Sequence, residues 1–287
     1  MKIALGTVQF GTYYGIANTK GQVEKPEIEN ILKFAKICGV DTIDTATSYK
    51  SSEKYLGEIG IDGYNVITKL PEIPDGCENL KIWITKNLQN SLNFLKVKTL
   101  SGLLLHRPIQ LLDKDKKDLW NILTDLKNKG IIKKIGYSIY TPDELEKLWG
   151  LFKPDLVQAP YNILDRRLET SGWLSRMSEE NVEVHIRSIF LQGLLLMNKE
   201  SRPEKFKKWD LVWNQWNNWL KENDSTPVQA AISFALSDSR ISRVIVGVDS
   251  LKQFKEIIDA ANNICTFPEN FHITDKRLFN PSEWSSL

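Results

Sequence analysis

Four side chains of four chemical types stand at the ends of short apolar runs, or just beyond them, in the first 106 of 287 residues. Asp44 ends DTID, Tyr49 lies in the loop behind it (TATSYK), Lys69 ends NVITK and His106 ends LSGLLLH. A carboxylate, a phenol, an amine and an imidazole together form a proton-transfer set. A free phenol, with a pKa of about 10, is a slow donor at neutral pH. An ammonium group beside it favours the phenolate and lowers that pKa. Asp44 would pair with Lys69 and hold it charged and oriented. His106 would hydrogen-bond the reacting group, through a tautomer that sequence does not assign. Singly, each residue has an ordinary structural reading: Asp44 as a helix cap, Tyr49 as a loop anchor, Lys69 as a solvated charge, His106 beside Pro108 as a turn residue. Four of them in order, at three successive junctions, point to one shared mouth.

For these groups to meet, the apolar runs must be parallel strands whose C-terminal ends open on one face. Runs at 2–5, 41–44, 65–68, 99–105, 134–138, 156–158, 183–188 and 243–247 read as strands. Between them, 26–37, 52–58, 78–95, 113–129, 168–179 and 251–262 read as helices. The first helix has Ile28, Ile31, Leu32 and Ala35 at helical spacing and Gly39 as a stop. Thr141-Pro142-Asp143-Glu144 and Thr226-Pro227-Val228-Gln229 open further helices with capping-box spacing and Pro at the first helical position. Repeated βα units predict a parallel sheet. Eight of them in this length fit an α/β chain folded as one (β/α)8 TIM barrel over residues 1–287, with its chemistry at the C-terminal strand ends. The alternative is a doubly wound open sheet. No G-x-G-x-x-G follows a strand, which weighs against it.

Composition excludes several classes. With 41% hydrophobic and 26% charged residues the chain reads as globular rather than disordered. A net charge of +2 suggests no nucleic-acid partner. No apolar run has the length of a membrane span, and MKIALGTVQFGTYYG lacks the apolar stretch of a signal peptide, so no membrane partner and a cytoplasmic location are expected. Three widely spaced cysteines and three histidines predict neither a disulfide framework nor a metal cluster. Residues 198–208 read as a long polar loop leading into a helix. Phe206, Trp209, Trp213, Trp216 and Leu220 form one helical stripe, read as core rather than as a sugar platform.

The run DTIDTATSYKSSEKYLGE resembles the aldo-keto reductase signature D-T-A-x-x-Y-x-x-S-E-x-x-L-G, and ITK and LLLHRP resemble the next two signature positions. GYSIY, VQAPYN, FLQGLLL and VIVGVDSLKQF carry the resemblance through the rest of the chain. It implies NAD(P)(H)-dependent interconversion of a carbonyl and an alcohol, with Asp44, Tyr49, Lys69 and His106 as the catalytic set and Tyr49 as general acid and base. A carbonyl that accepts hydride develops negative charge on oxygen, and a donor beside it stabilises that charge and supplies the proton.

The resemblance also implies a dinucleotide extended across the barrel mouth. Ser138 and Gln158 would grip the nicotinamide carboxamide. Thr7, Arg187, Ser188, Gln192 and Gly193 would lie along the cofactor, and Gly247, Asp249, Ser250 and Gln253 at its adenosine end. Two positions depart from the family pattern: Ile139 replaces the usual Asn, and Arg187 replaces the aromatic residue that stacks on nicotinamide. A guanidinium can stack on a ring, or it can bind an anion of substrate or cofactor. The family favours NADP. Asp249 would repel a 2′-phosphate and accept from a 2′-hydroxyl, as in NAD sites, so NAD is the rival. Lys252 and Lys255 stand near as phosphate ligands, while Ser250-x-x-Gln253 is also a plain capping box.

Tyr13, Tyr14, Asn162 and Arg166 follow strands and are placed towards substrate. The segment around Arg187 is similar to bacterial relatives in surface-sugar biosynthesis, which implies a small carbonyl or sugar substrate. A cofactor-retaining sugar epimerase and a nucleotide-sensing regulatory subunit are the alternatives. Many relatives close the barrel bottom with a β-hairpin, for which little room remains before the first strand here. Sequence assigns no oligomeric state.

Overall fold

The structure, a computed structural model, describes every residue except Glu269, Asn270, His272, Thr274 and Leu287, and describes Ser282 and Ser285 without their side chains. All eight apolar runs form strands: β1 (Ile3–Gly6), β2 (Thr42–Asp44), β3 (Asn65–Leu70), β4 (Gly102–Leu105), β5 (Ile135–Ser138), β6 (Leu156–Pro160), β7 (Glu183–Arg187) and β8 (Arg243–Gly247). Each pairs in parallel with the next. β8 returns to β1, from Ile3↔Val244 to Gly6↔Gly247, and closes the (β/α)8 barrel. The strands are short and buried on both faces, as a sheet sheathed in helices requires. Ile67, Leu104 and Leu156 form a small apolar cluster of their own. Ile67 and Leu156 each stand two residues before Lys69 and Gln158, on the same strand face, so this plug supports the polar layer at the mouth.

The helices follow their apolar stripes. Lys25–Ile37 buries Ile28, Ile31, Leu32 and Ala35, and Leu80–Leu95 buries Ile84, Leu88 and Leu92. The helices after Thr141 and Thr226 both start with complete capping boxes. The tryptophan stripe is core: Phe206, Trp213 and Trp216 are at most 1% exposed. Trp213 and Trp216 donate their indole N–H groups to the carbonyls of Phe206 and Leu195.

Several elements differ from the sequence reading. The helix expected over 168–179 is two, Arg167–Thr170 and Trp173–Glu179, parted at Gly172 with φ 81°. The helix expected over 113–129 is Leu119–Asn128, preceded by 3-10 turns at Pro108–Leu112 and Lys114–Lys116. The charged run before Leu119 offers no apolar stripe to bury. A four-residue helix, Val8–Gly11, follows β1 and is too short to leave a period in the sequence.

The floor of the barrel, at the N-terminal strand ends, carries ion pairs and hydrogen bonds. Arg243 pairs with Asp41 (3.3 Å), Lys127 with Asp155 (2.6 Å), and Glu183 with both Lys134 and His185 Nε2, the latter at 2.8 Å. Burial works against the Glu183 carboxylate, but the hydrogen bonds from His185 and Lys134 outweigh it and hold the pKa down at about 2. Among the described residues no helix is long and apolar enough to cross a membrane, and no cluster of His, Cys, Asp and Glu is arranged to hold a metal ion.

Candidate active site

Strand register brings the four chemical groups together. Asp44 ends β2 and Lys69 is the penultimate residue of β3. His106 follows β4 and is fixed by its N–H to the Leu70 carbonyl (3.1 Å). Tyr49 sits in a turn closed by its own N–H to Ala46 O (3.0 Å) and by Ser52 N–H to Tyr49 O (3.0 Å). That turn is pressed against the short helix after β1, where a Cβ built on Gly11 would fall 1.7 Å from the Tyr49 carbonyl oxygen. Thr7 ties the layers together: its hydroxyl donates to Asp44 O (3.0 Å) and accepts from Ser52 Oγ (2.8 Å).

Lys69 Nζ donates to Asp44 Oδ1 (2.6 Å) and to the Thr45 carbonyl (2.8 Å). Gln158 Nε2 donates to Asp44 Oδ2 (2.7 Å), so both carboxylate oxygens are engaged. Lys69 is fully buried and Asp44 nearly so. Burial pulls the Lys69 ammonium below its ordinary pKa while Asp44 pulls it back up. Lys69 Nζ lies 5.3 Å from the Tyr49 ring centroid, and the His106 ring stands edge-on to Tyr49 at 6.2 Å. Burial first, then the Lys69 and Arg187 charges, push His106 down to about 3. The imidazole is therefore neutral at neutral pH. Ser48 Oγ lies 3.4 Å from its Nδ1, and a hydroxyl donating there leaves Nε2 as the N–H donor.

The phenol differs from expectation. Burial, then the Asp44 carboxylate, raise the Tyr49 pKa above its ordinary value, with Arg187 pulling the other way. The ammonium expected to acidify it is committed to Asp44 and Thr45. Tyr49 without ligand is thus a neutral O–H donor, the form that can give a proton away.

A cavity of ≈ 980 Å³ opens above this layer. That is the upper end of the usual range for ligand pockets, about 300–1,000 Å³. Asp44, Tyr49 and His106 line it, as do Thr7, Tyr14, Ser138, Gln158, Arg187, Ser188, Gln192, Gly193, Gly247, Asp249 and Gln253. Its walls fit a dinucleotide. Gly247 keeps a side chain out of a passage where a Cβ would meet the Gln9 amide at 2.6 Å, and Gln9 Oε1 is buried with no hydrogen-bond partner among the described residues. Ser138 and Gln158 offer a hydroxyl and, with Gln158 Nε2 already donated, an amide oxygen for a carboxamide.

Other expected residues stand elsewhere. Ser250 does not line the cavity; its Oγ accepts from Gln253 N (3.3 Å) as a helix cap. Tyr13 is 64% exposed, lies outside the lining, and donates its hydroxyl to Asn18 O (2.7 Å). Asn162 is buried and builds the turn after β6, donating to Ser188 O and accepting from the N–H groups of Leu164 and Asp165. Arg166 donates to Pro268 O (2.6 Å), and neither Lys252 nor Lys255 lines the cavity.

Tyr140, Ala17 and Asn18 are among the lining residues that were not foreseen. Tyr140 follows β5 and lies under the Arg187 guanidinium, 4.8 Å from ring centroid to Cζ. Its place two residues past Ser138 was the available signal. Ala17 and Asn18 belong to a strap that crosses from β1 to the loops after β7 and β8. Ala17 N–H donates to Gln192 O (3.4 Å), and Asn18 Nδ2 donates to Asp249 Oδ1 (3.0 Å). Gly193, at φ 91°, lets the strap seat, since a Cβ there would come within 2.4 Å of the Ala17 methyl.

The sequence profile of the Aldo/keto reductase family matches residues 2–274. The chain is 26% identical over 173 residues to the L-glyceraldehyde 3-phosphate reductase of Escherichia coli O157:H7, covering 50% of each chain. It is 26% identical over 156 residues to the NADH-specific methylglyoxal reductase of Escherichia coli strain K12, covering 49% of this chain and 47% of that one. These matches span about half the length of the curated relatives. Among solved structures, the holo form of aldo-keto reductase AKR11C1 from Bacillus halodurans has the same fold, with a TM-score of 0.72 at 20% identity over 96% of this chain and 89% of that one.

Proposed function

The chain belongs to the aldo/keto reductase family, and from that premise we propose that it reduces small aldehydes with NAD(H), Tyr49 giving the proton. One observation carries this reading. A half-buried, protonated phenol stands edge-on to a neutral imidazole and beside a Lys69–Asp44 pair, on the wall of a cavity of dinucleotide size.

A reduced nicotinamide, when bound, supplies the hydride that the carbonyl carbon accepts. The residues of the chain do the rest. Ser138 and the Gln158 amide oxygen hold the carboxamide. The His106 N–H and the Tyr49 O–H donate to the carbonyl oxygen and stabilise the charge that builds on it. The Tyr49 O–H bond then breaks, the new O–H forms on substrate, and the phenolate is left facing the charges of Lys69 and Arg187 until water returns a proton. Asp44 keeps Lys69 charged through a bond that burial strengthens.

The far end of the cavity supports NAD(H) over NADP(H). Asp249, Gln253 and Glu256 line it, and among the described residues no Lys does. Two carboxylates repel a 2′-phosphate, whereas Asp249 can accept from a free 2′-hydroxyl. The aldehyde substrates named for the two Escherichia coli proteins support a small carbonyl here.

The test is stoichiometry. With methylglyoxal and NADH, one nucleotide should be oxidised for each alcohol formed. Interconversion of sugar epimers without net nucleotide consumption would favour the epimerase. Tight NADH binding with no product from any aldehyde would favour a sensor.

A further inference from the structure

Arg187 is the only Lys or Arg among the described residues that line the cavity. No carboxylate lies within ion-pair distance of it among those residues. The acidic groups of the cavity are otherwise occupied or elsewhere. Asp44 is held by Lys69 and Gln158, and Asp249 by Asn18 at the opposite end. The guanidinium is nevertheless fixed in place. One face rests on the Tyr140 ring, Nη2 donates to Ile139 O (3.0 Å), and Nη1 reaches Ser188 Oγ (3.3 Å). A guanidinium has five N–H donors, so about three remain for a ligand. Its position is the reacting end: the β7 register puts it opposite Pro160, two residues past Gln158, and its charge bears on Tyr14, Tyr49, Lys69 and His106.

From this geometry we infer that Arg187 binds an anionic group, phosphate or carboxylate, on the carbonyl substrate, and that the natural substrate is a short aldehyde carrying that charge. The inference rests on the reductase reading and adds the substrate class. With Lys69 balanced by Asp44 and His106 neutral, Arg187 leaves the reacting end with an unbalanced positive charge. A planar fork with spare donors matches phosphate and carboxylate oxygens bidentately. Tyr14 and Tyr140 line the same cavity and carry further hydroxyls. The rival use of the same cation is to hold the cofactor, by stacking on nicotinamide or by binding its phosphates.

The experiment compares matched substrates: D-glyceraldehyde 3-phosphate with D-glyceraldehyde, and succinic semialdehyde with butanal. The intact chain should prefer the charged member in kcat/KM by about 10- to 100-fold at low salt, the range expected of a charge-assisted hydrogen-bond pair. The preference should shrink as salt rises. Which charged member wins separates phosphate from carboxylate. In Arg187→Gln the preference should collapse towards one, and Arg187→Lys should restore part of it. Parallel loss on charged and neutral substrates, with weaker NADH binding, would assign Arg187 to the cofactor and overturn the inference. Equal use of charged and neutral aldehydes by the intact chain would overturn it as well. A readout without turnover keeps the two readings apart. By calorimetry, sn-glycerol 3-phosphate should bind the NADH complex, glycerol should not, and Arg187→Gln should abolish the difference. If that binding is found but no aldehyde is reduced, the reductase reading fails and the anion site stands.

Discussion

Asp44 has both carboxylate oxygens engaged, and Lys69 has no exposure at all. Around that closed pair the titration of His106 carries a prediction with a definite sign. Its pKa in the folded chain is about 3 against an ordinary 6.5. Between those values the unfolded chain binds a proton that the folded chain refuses, so stability is full above 6.5 and falls as pH drops through the window. In thermal melts taken from about pH 7 to about pH 5, His106→Gln should lose less stability than the intact chain. A parallel decline in both would contradict a neutral, half-buried imidazole. At this scale, types and order at strand ends made Asp44, Tyr49, Lys69 and His106 legible. The sign of the Tyr49 shift was not, because it depends on where Lys69 directs its three N–H donors. Nor was the Gln158–Asp44 bond, which joins residues 114 apart in sequence.

Between Gly11 and Tyr49 two elements touch backbone to backbone. A methyl group on Gly11 would overlap the Tyr49 carbonyl and Ser52 N, neither of which can swing aside as a side chain can. Gly11→Ala should therefore displace the Tyr49 turn and lower turnover by about 10²-fold, the usual cost of a misplacement near 1 Å. Gly150→Ala, with nothing within 4 Å of the added carbon, should keep its activity. Steady-state rates and near-ultraviolet circular dichroism on both variants check this, and a fully active Gly11→Ala would place the turn elsewhere. Long helices were legible from apolar spacing because each buries one stripe. Val8–Gly11, the element that fixes the Tyr49 turn, has four residues and no period. The break at Gly172 was hidden because the apolar positions on its two sides, Leu168 and Trp173, both pack into the core.

The barrel as a whole has a reactive mouth and an ionic floor. Glu183 is pinned there between Lys134 and His185, with its pKa lowered from 4.5 to about 2. A depressed carboxylate contributes stability above its unfolded pKa and loses it as pH falls through the folded one. Glu183→Gln should be less stable than the intact chain at neutral pH, and its stability should decline less steeply between about pH 4.5 and about pH 2. Equilibrium urea unfolding across that range measures both effects. An unchanged acid limb would mean the floor pairs contribute little. The fold class was legible at this scale because eight βα repeats admit few closed arrangements. The strap across the mouth was not, since Asn18 meets Asp249 only after the barrel has brought β8 beside β1.

Single-turnover reduction of methylglyoxal, with NADH deuterated at the transferred position, bears most directly on Tyr49 as the proton donor. The intact chain should deliver the label to the new alcohol carbon. Tyr49→Phe should bind NADH with similar affinity by fluorescence yet transfer the label about 10²- to 10⁴-fold more slowly, the range for loss of a general acid. Transfer at the same rate in both proteins would contradict the assignment of the proton to this phenol.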